Sequence, residues 1–179
     1  MKPNWIKREQ IANISLKCNR SGVIPYLVTN KGIWFCLGKD KINGELSDFA
    51  GNRSIFDRSS EDTALKNCRS ESLSVFDFSC VDLQVMDSLY IFDDQRLIIL
   101  VDVTNWGKDM NYYAKEFDRK SLTASSSQFS ELVWVNASTI TEIISKKLTG
   151  VQSEVRSHIR DISKIIPIIN YDRGKEIVY

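Results

Sequence analysis

The residues that could do chemistry are concentrated between positions 47 and 76 of the sequence. Gly51 supplies a turn, and Asp57 follows six residues later. The residues after it predict a helix that begins at position 59 or 60 and runs to about 72, with Glu71 near its end. A glutamate is a hard oxygen ligand of the kind that Mg²⁺ prefers.

The predicted helix has two faces of different chemistry. At about 100° per residue, one face is suited to packing on a sheet and carries Ala64, Leu65, Cys68 and Ser72. A second face, more than a quarter-turn away, carries Thr63, Asn67, Ser70 and Glu71. Of these four side chains only Glu71 is a carboxylate, whereas Asn67 offers a carbonyl oxygen and Ser70 a hydroxyl. We expect a site with one helix carboxylate to hold Mg²⁺ weakly unless other acids contribute.

The order of turn, acid and helix resembles the Nudix box, the strand–loop–helix signature of Nudix hydrolases. Gly51 falls on the opening glycine of that pattern, and Asp57 stands where the first glutamate belongs. Lys66 and Asn67 fall on the Arg-Glu pair, with one extra residue in the spacer before them.

The second half of the pattern departs further from the family. Cys68 fits the apolar position, Ser70 and Glu71 fall on the Glu-Glu pair, and Ser74 stands where the closing glycine is expected. Two of the three acids on the family's metal-binding helix face are therefore replaced, at Asn67 and Ser70.

The resemblance implies a site for Mg²⁺ or Mn²⁺, which activates water and stabilises the phosphate leaving group. It implies catalytic roles for Glu71 and Lys66, with Glu71 also a metal ligand. Asp57 and Glu116 are the candidates for further metal ligands, and Asp118 is an alternative to Glu116. The segment around Glu116 is predicted to be a loop, and it could equally be a solvated surface turn.

Other segments predict the elements that position these residues. Predicted strands cover 22–29, 32–37, 85–92, 97–103 and 131–135, and the first two form a hairpin. Pro25 predicts a bulge or sheet edge in the first strand. Ser138 is expected to cap a helix that carries Ile140. A last helix is predicted over 151–166, with His158 beside its apolar stripe as a structural residue.

The region 106–128 is predicted to be irregular. Its aromatic residues, Trp106, Tyr112 and Tyr113, could stack on a base. Strands mixed with helices indicate one α/β (α+β) domain over 1–179. The resemblance covers about 20–168 and implies a Nudix-like α/β/α sandwich with a mixed β-sheet between helices, leaving extensions at 1–19 and 169–179.

Composition excludes several classes of protein. The 24 Lys and Arg nearly balance the 23 Asp and Glu, so bulk charge does not favour nucleic-acid binding, although a local basic patch is compatible with it. The sequence shows neither a signal peptide nor a membrane span, so we expect an intracellular, cytoplasmic protein without a membrane partner. The four widely spaced cysteines, Cys18, Cys36, Cys68 and Cys80, are expected to be thiols.

Two functions remain open at this stage. One is a Nudix-type pyrophosphohydrolase that acts on a nucleotide or an RNA cap, motivated by Gly51, Asp57 and Glu71. The alternative is a non-catalytic Nudix-like module that binds a nucleotide, an RNA or a protein, motivated by the acids missing at Asn67 and Ser70. The resemblance also implies a possible homodimer.

Overall fold

The structure is a computed structural model that describes residues 4–7, 18–86, 88–93, 95–124 and 126–140. The strands are β1 (Asn4–Lys7), β2 (Arg20–Thr29), β3 (Gly32–Asp40), β4 (Leu46–Ser47), β5 (Phe49–Asn52), β6 (Leu89–Phe92), β7 (Arg96–Asp102) and β8 (Phe129–Asn136). The helices are α1 (Ser60–Glu71), α2 (Cys80–Val85) and α3 (Met110–Ser121), and a short 3₁₀ helix spans Thr104–Trp106. The fold is α+β, as the sequence predicts.

The strands of the described residues form one mixed sheet. Its path runs β1-β6-β7-β2-β3-β4, while β5 pairs with β2 and β8 pairs with β3. The β2–β7 pair is parallel, and the other strand pairs are antiparallel. The parallel β2–β7 pair needs a crossover connection, and α1 lies within the chain that connects these two strands.

The β2–β3 hairpin opens into a fork, which β4 and β5 fill. Residues 26–29 of β2 pair with β3, whereas residues 20–23 pair with β5 on the same edge. The far part of β3 pairs with β4. From β5 in this fork the chain continues through the loop that carries Asp57 to the start of α1.

Pro25 lies inside a central strand, so the prediction of a bulge or sheet edge was wrong. On one side Pro25 pairs with Val101 of β7. On the other side it lies between the β5-paired and β3-paired parts of β2. A proline is tolerated there because its missing N–H coincides with the change of partner.

The two faces of the sheet carry separate apolar clusters. One contains the buried residues of the three helices, among them Ala64, Cys68, Leu83, Tyr113 and Phe117, so these helices lie on one face. The other consists of sheet residues together with Ala137 and Ile140. The helix predicted over 151–166 and His158 lie outside the described residues.

The local predictions succeeded where the pattern was periodic. The β2–β3 hairpin, α1 and β8 are confirmed within a few residues at each end. All four cysteines are thiols, as expected, and three of them are buried. Helical structure begins at Ala137, so Asn136 takes the capping role predicted for Ser138, and its Oδ1 accepts from the Ser138 N–H at 2.9 Å.

Two local predictions differ from the structure. The strand predicted over 85–92 covers only Leu89–Phe92, because residues 80–85 form α2, which begins at a capping box of Ser79 and Asp82. Residues 110–121 form α3 instead of a loop, because Asp109 caps the helix and its Oδ1 accepts from the Tyr112 N–H at 2.8 Å.

Among the described residues, no helix combines the length and apolarity that a membrane crossing requires.

Candidate functional site

The helix α1 begins where the sequence predicts because Ser59 caps it. The Ser59 Oγ accepts from the Asp62 N–H at 3.1 Å, and Glu61 and Asp62 lie in the first turn. Acids at this end interact favourably with the helix dipole. Ala64 and Cys68 are fully buried against the sheet, so the packing face was predicted correctly.

Gly51 and Asn67 are brought into direct contact. A Cβ at Gly51 would lie 2.4 Å from the Asn67 Oδ1, a distance that no ordinary contact allows. The Asn67 Nδ2 donates to the Thr63 carbonyl at 2.8 Å, which holds the amide against its own helix. A larger residue at position 51 would therefore displace the Asn67 amide from its hydrogen bond to Thr63, so glycine serves this contact and not an unusual backbone angle.

Asp57 anchors the loop before α1 to the helix. Its carboxylate accepts from the Lys66 Nζ at 2.6 and 2.8 Å, from the Ser54 N–H at 2.8 Å and from the Thr63 hydroxyl at 2.9 Å. The hydrogen bond from Lys66, followed by that from the Ser54 N–H, lowers the pKa of Asp57 to about 2. The side chain is only 7% exposed. Asp57 therefore serves as the acceptor of an ion pair in this structure.

We expect Asp57→Asn to reveal this ion pair through the pH dependence of stability. Because folding lowers the pKa of Asp57 from 3.8 to about 2, its ionised form stabilises the folded state above about pH 4. This contribution is lost as the pH falls from about 4 to 2. The free energy of unfolding, measured by urea titration, should therefore differ between wild type and Asp57→Asn at pH 6 and converge near pH 2. A gap that stays constant with pH would contradict the assignment.

Glu71 joins the end of α1 to the entry of β8. Its Oε2 accepts from the Gln128 N–H at 2.9 Å and from the Ser127 hydroxyl at 3.3 Å. The same hydroxyl approaches the Glu71 carbonyl at 2.7 Å, and the Lys41 Nζ donates to the Ser127 carbonyl at 2.7 Å. One carboxylate oxygen of Glu71 is therefore committed to holding the segment before β8.

Glu116 lies on α3, not in the predicted loop, and pairs with an arginine on its own helix. The Arg119 guanidinium donates to the Glu116 carboxylate at 2.5 and 3.1 Å. Arg119 holds the pKa of Glu116 below its ordinary value. Asp118 is exposed on the same helix.

The three predicted metal ligands thus have three different partners. Across the described parts of the chain, no group of three or more His, Cys, Asp or Glu side chains is arranged to hold a metal ion. Asp57 neutralises Lys66, Glu71 binds backbone and hydroxyl donors, and Glu116 neutralises Arg119. This donor set does not fit Mg²⁺ or Mn²⁺, which need several hard oxygens directed at one point. The catalytic roles of Glu71 and Lys66 stay predictions.

The C-terminal end of α1 has an unusual backbone. Leu73 and Ser74 both have positive φ, of 52° and 59°, and the Ser74 N–H donates to the Arg69 carbonyl at 2.8 Å. Residues other than glycine rarely adopt this conformation. Ser74 stands where the Nudix pattern has its closing glycine, so the position has the left-handed geometry for which a glycine would be suited.

These two residues border a groove between α1 and the end of α3. The groove has a volume of about 500 Å³ and is lined by Lys66, Arg69, Ser70, Leu73, Ser74, Lys120, Thr123, Ala124 and Ser126. The lining contains three cationic side chains and four hydroxyls and no carboxylate. We call it the cationic groove.

The cations of the groove are neutralised to different degrees. Lys66 pairs with Asp57, and Arg69 pairs with Asp77 at 2.7 Å across an exposed surface. The Lys120 Nζ donates to the Ser74 carbonyl at 3.2 Å. That bond leaves the charge of Lys120 available to an anion, since a carbonyl accepts a hydrogen bond without neutralising an ammonium group.

Sequence analysis placed Lys66 and Ser70 at this site but missed Arg69, Lys120 and Thr123. The available signal for Lys120 was the capped helix after Asp109, which ends in basic residues. That Lys120 meets Ser74, 46 positions earlier, follows only from the packing of α3 beside α1.

The fold and the site define an α+β domain whose box-like helix borders a cationic groove. No protein-family model matches the sequence, and no curated protein matches it. Solved structures that are similar include the Ap4A hydrolase of C. elegans in a binary complex, with a TM-score of 0.46 and 10% identity, covering 84% of this chain and 98% of that one. Another structure of C. elegans Ap4A hydrolase has a TM-score of 0.42 and 10% identity, covering 82% and 96% of the two chains. A candidate Nudix hydrolase of Listeria monocytogenes has a TM-score of 0.47 and 13% identity, covering 89% and 97%.

Proposed function

We propose that this protein is a non-catalytic, Nudix-like binding module that holds the phosphate groups of a nucleotide in the cationic groove without a divalent cation. The observation that carries the proposal is the lining of the groove, which combines Lys66, Arg69 and Lys120 with four hydroxyls and contains no carboxylate. Ammonium, guanidinium and hydroxyl donors make charge-assisted hydrogen bonds to phosphate oxygens.

The arrangement of the acids supports binding over hydrolysis. A diphosphate is cleaved by metal-assisted hydrolysis when ions are held beside it by several carboxylates. In this chain Asn67 and Ser70 replace two of the expected acids, and the Glu71 Oε2 is engaged by the Gln128 N–H. Cations of the protein then take the place of the metal in neutralising phosphate charge.

The proposal is tested by measuring the affinity of ATP and of tripolyphosphate by calorimetry in EDTA and again with Mg²⁺. We expect binding in EDTA, and we expect Lys120→Gln to weaken it about tenfold, because one charged hydrogen-bond donor is lost. Lys115→Gln is the matched control, since Lys115 is exposed and lies about 140° around α3 from Lys120. Equal affinities for Lys120→Gln and wild type, or binding that needs Mg²⁺, would contradict the proposal.

The same preparations distinguish binding from hydrolysis. Nucleoside di- and triphosphates, dinucleotides and capped RNA are incubated with Mg²⁺ or Mn²⁺, and released phosphate products are measured beside a Glu71→Gln variant. We expect no release from wild type. Turnover by wild type that disappears in Glu71→Gln would establish the hydrolase instead, with Glu71 at its centre.

A further inference from the structure

An exposed aromatic side chain lies on the same side of α3 as the cationic groove. Tyr112 is 45% exposed in the first turn of α3. Tyr112, Glu116 and Lys120 are spaced by four residues, so their side chains form one ridge along the helix. The ridge runs about 12 Å from the tyrosine to the lysine.

The ring of Tyr112 is held in place by its neighbours. Its edge-to-face contact with the buried Tyr113 has a centroid distance of 5.6 Å, and Tyr113 in turn stacks on Phe76 at 4.9 Å. The Lys108 Nζ lies over the Tyr112 ring, 4.8 Å from its centre. An anchored and partly exposed ring whose face attracts a cation has the features of a platform for stacking a base.

The charge of the ridge between the ring and the groove does not repel an anion. Glu116 is the acid of the ridge, and Arg119 neutralises it at 2.5 Å. Beyond it, Lys120 and Thr123 border the groove. A phosphodiester chain can therefore follow the ridge from an aromatic end to a cationic end.

We propose that Tyr112 and the cationic groove together bind a single-stranded oligonucleotide, with a base stacked on the Tyr112 ring and phosphates beside Lys120. This inference rests on the proposed function and names its ligand class. A base on Tyr112 and a phosphate at Lys120 are too far apart for one nucleoside monophosphate, whereas linked nucleotides span the ridge and place a phosphate beside each sugar. A base that stacks on the ring face covered by Lys108 displaces its ammonium group.

The test measures fluorescence anisotropy in EDTA with labelled tetrauridylate and tetrathymidylate, together with competition by UMP and tripolyphosphate. We expect a tetranucleotide to bind at least about tenfold more tightly than UMP, because it reaches both ends of the ridge. We expect Tyr112→Leu to weaken tetranucleotide binding about tenfold, and Tyr112→Phe to leave it unchanged, because stacking needs the ring and not the hydroxyl. A preference for either the RNA or the DNA strand supports the inference and identifies the source of the ligand.

Tripolyphosphate separates failure of this inference from failure of the proposed function. It contacts only the groove, so Tyr112→Leu should bind it as wild type does, which also shows that the variant is folded. If tripolyphosphate binds and Tyr112→Leu does not change tetranucleotide affinity, the inference is overturned while the proposed function stands. If neither ligand binds to wild type, both are overturned.

Discussion

Phe76→Ala is expected to lower the free energy of unfolding by about 3–5 kcal/mol, the range found when a buried phenylalanine leaves a cavity. Phe76 is completely buried. Its ring lies 4.9 Å from that of Tyr113, 6.0 Å from Phe49, 6.2 Å from Phe78 and 6.4 Å from Trp134, measured between centroids. The side chain therefore joins the segment after α1 to α3 and to two strands of the sheet. Urea unfolding followed by tryptophan fluorescence measures the loss.

A matched control for this loss is available on the loop before α1. Phe56 is 86% exposed, so Phe56→Ala should change the free energy of unfolding by no more than about 0.5 kcal/mol. Similar losses for the two variants would show that Phe76 does not fill a packed core. Because Phe76 follows Ser74 at the groove, Phe76→Ala should also weaken binding of tripolyphosphate by loosening the wall that Ser74 forms.

Arg20→Met is expected to destabilise the protein by about 3–5 kcal/mol, because it removes the bidentate guanidinium from the buried carboxylate of Asp48. The Asp48 side chain is 0% exposed, whereas that of Arg20 is 20% exposed. The two guanidinium nitrogens donate to the two carboxylate oxygens at 2.7 and 3.1 Å, and the Ser47 hydroxyl donates at 3.0 Å. This bidentate pair lies where β4 and β5 enter the fork of the sheet. Thermal and urea unfolding at pH 7 measure its contribution.

Two further variants test whether the buried charge is the cause. Arg58→Met removes an exposed arginine from its i,i+4 pair with Asp62, and it should cost about 0.5 kcal/mol or less. The double variant Arg20→Met with Asp48→Asn removes the buried charge, and it should recover part of the stability lost in Arg20→Met. A double variant less stable than Arg20→Met would show that the carboxylate contributes through its hydrogen bonds alone.

The sequence by itself determined the elements whose signals are local. The hairpin of β2 and β3 follows from apolar runs around a two-residue turn, and α1 follows from the Ser59 cap and the periodic burial of Ala64 and Cys68. The same local signals were present for α2 and α3, in the Ser79–Asp82 capping box and the Asp109 cap, and reading them would have predicted both helices. Short-range hydrogen bonds and side-chain spacing are enough to specify such elements.

The partners of the site residues were decided by the tertiary structure. Sequence spacing placed Asp57, Lys66 and Glu71 near one helix, but it could not show that Glu71 holds the segment of Ser127, 56 residues later. Nor could it show that Lys120 meets Ser74 to close one wall of the groove. A carboxylate is able to bind a metal ion, an ammonium group or a backbone N–H. Which of them it binds depends on the donors that packing brings within about 3 Å, and that choice separates a cation-lined groove from a metal site.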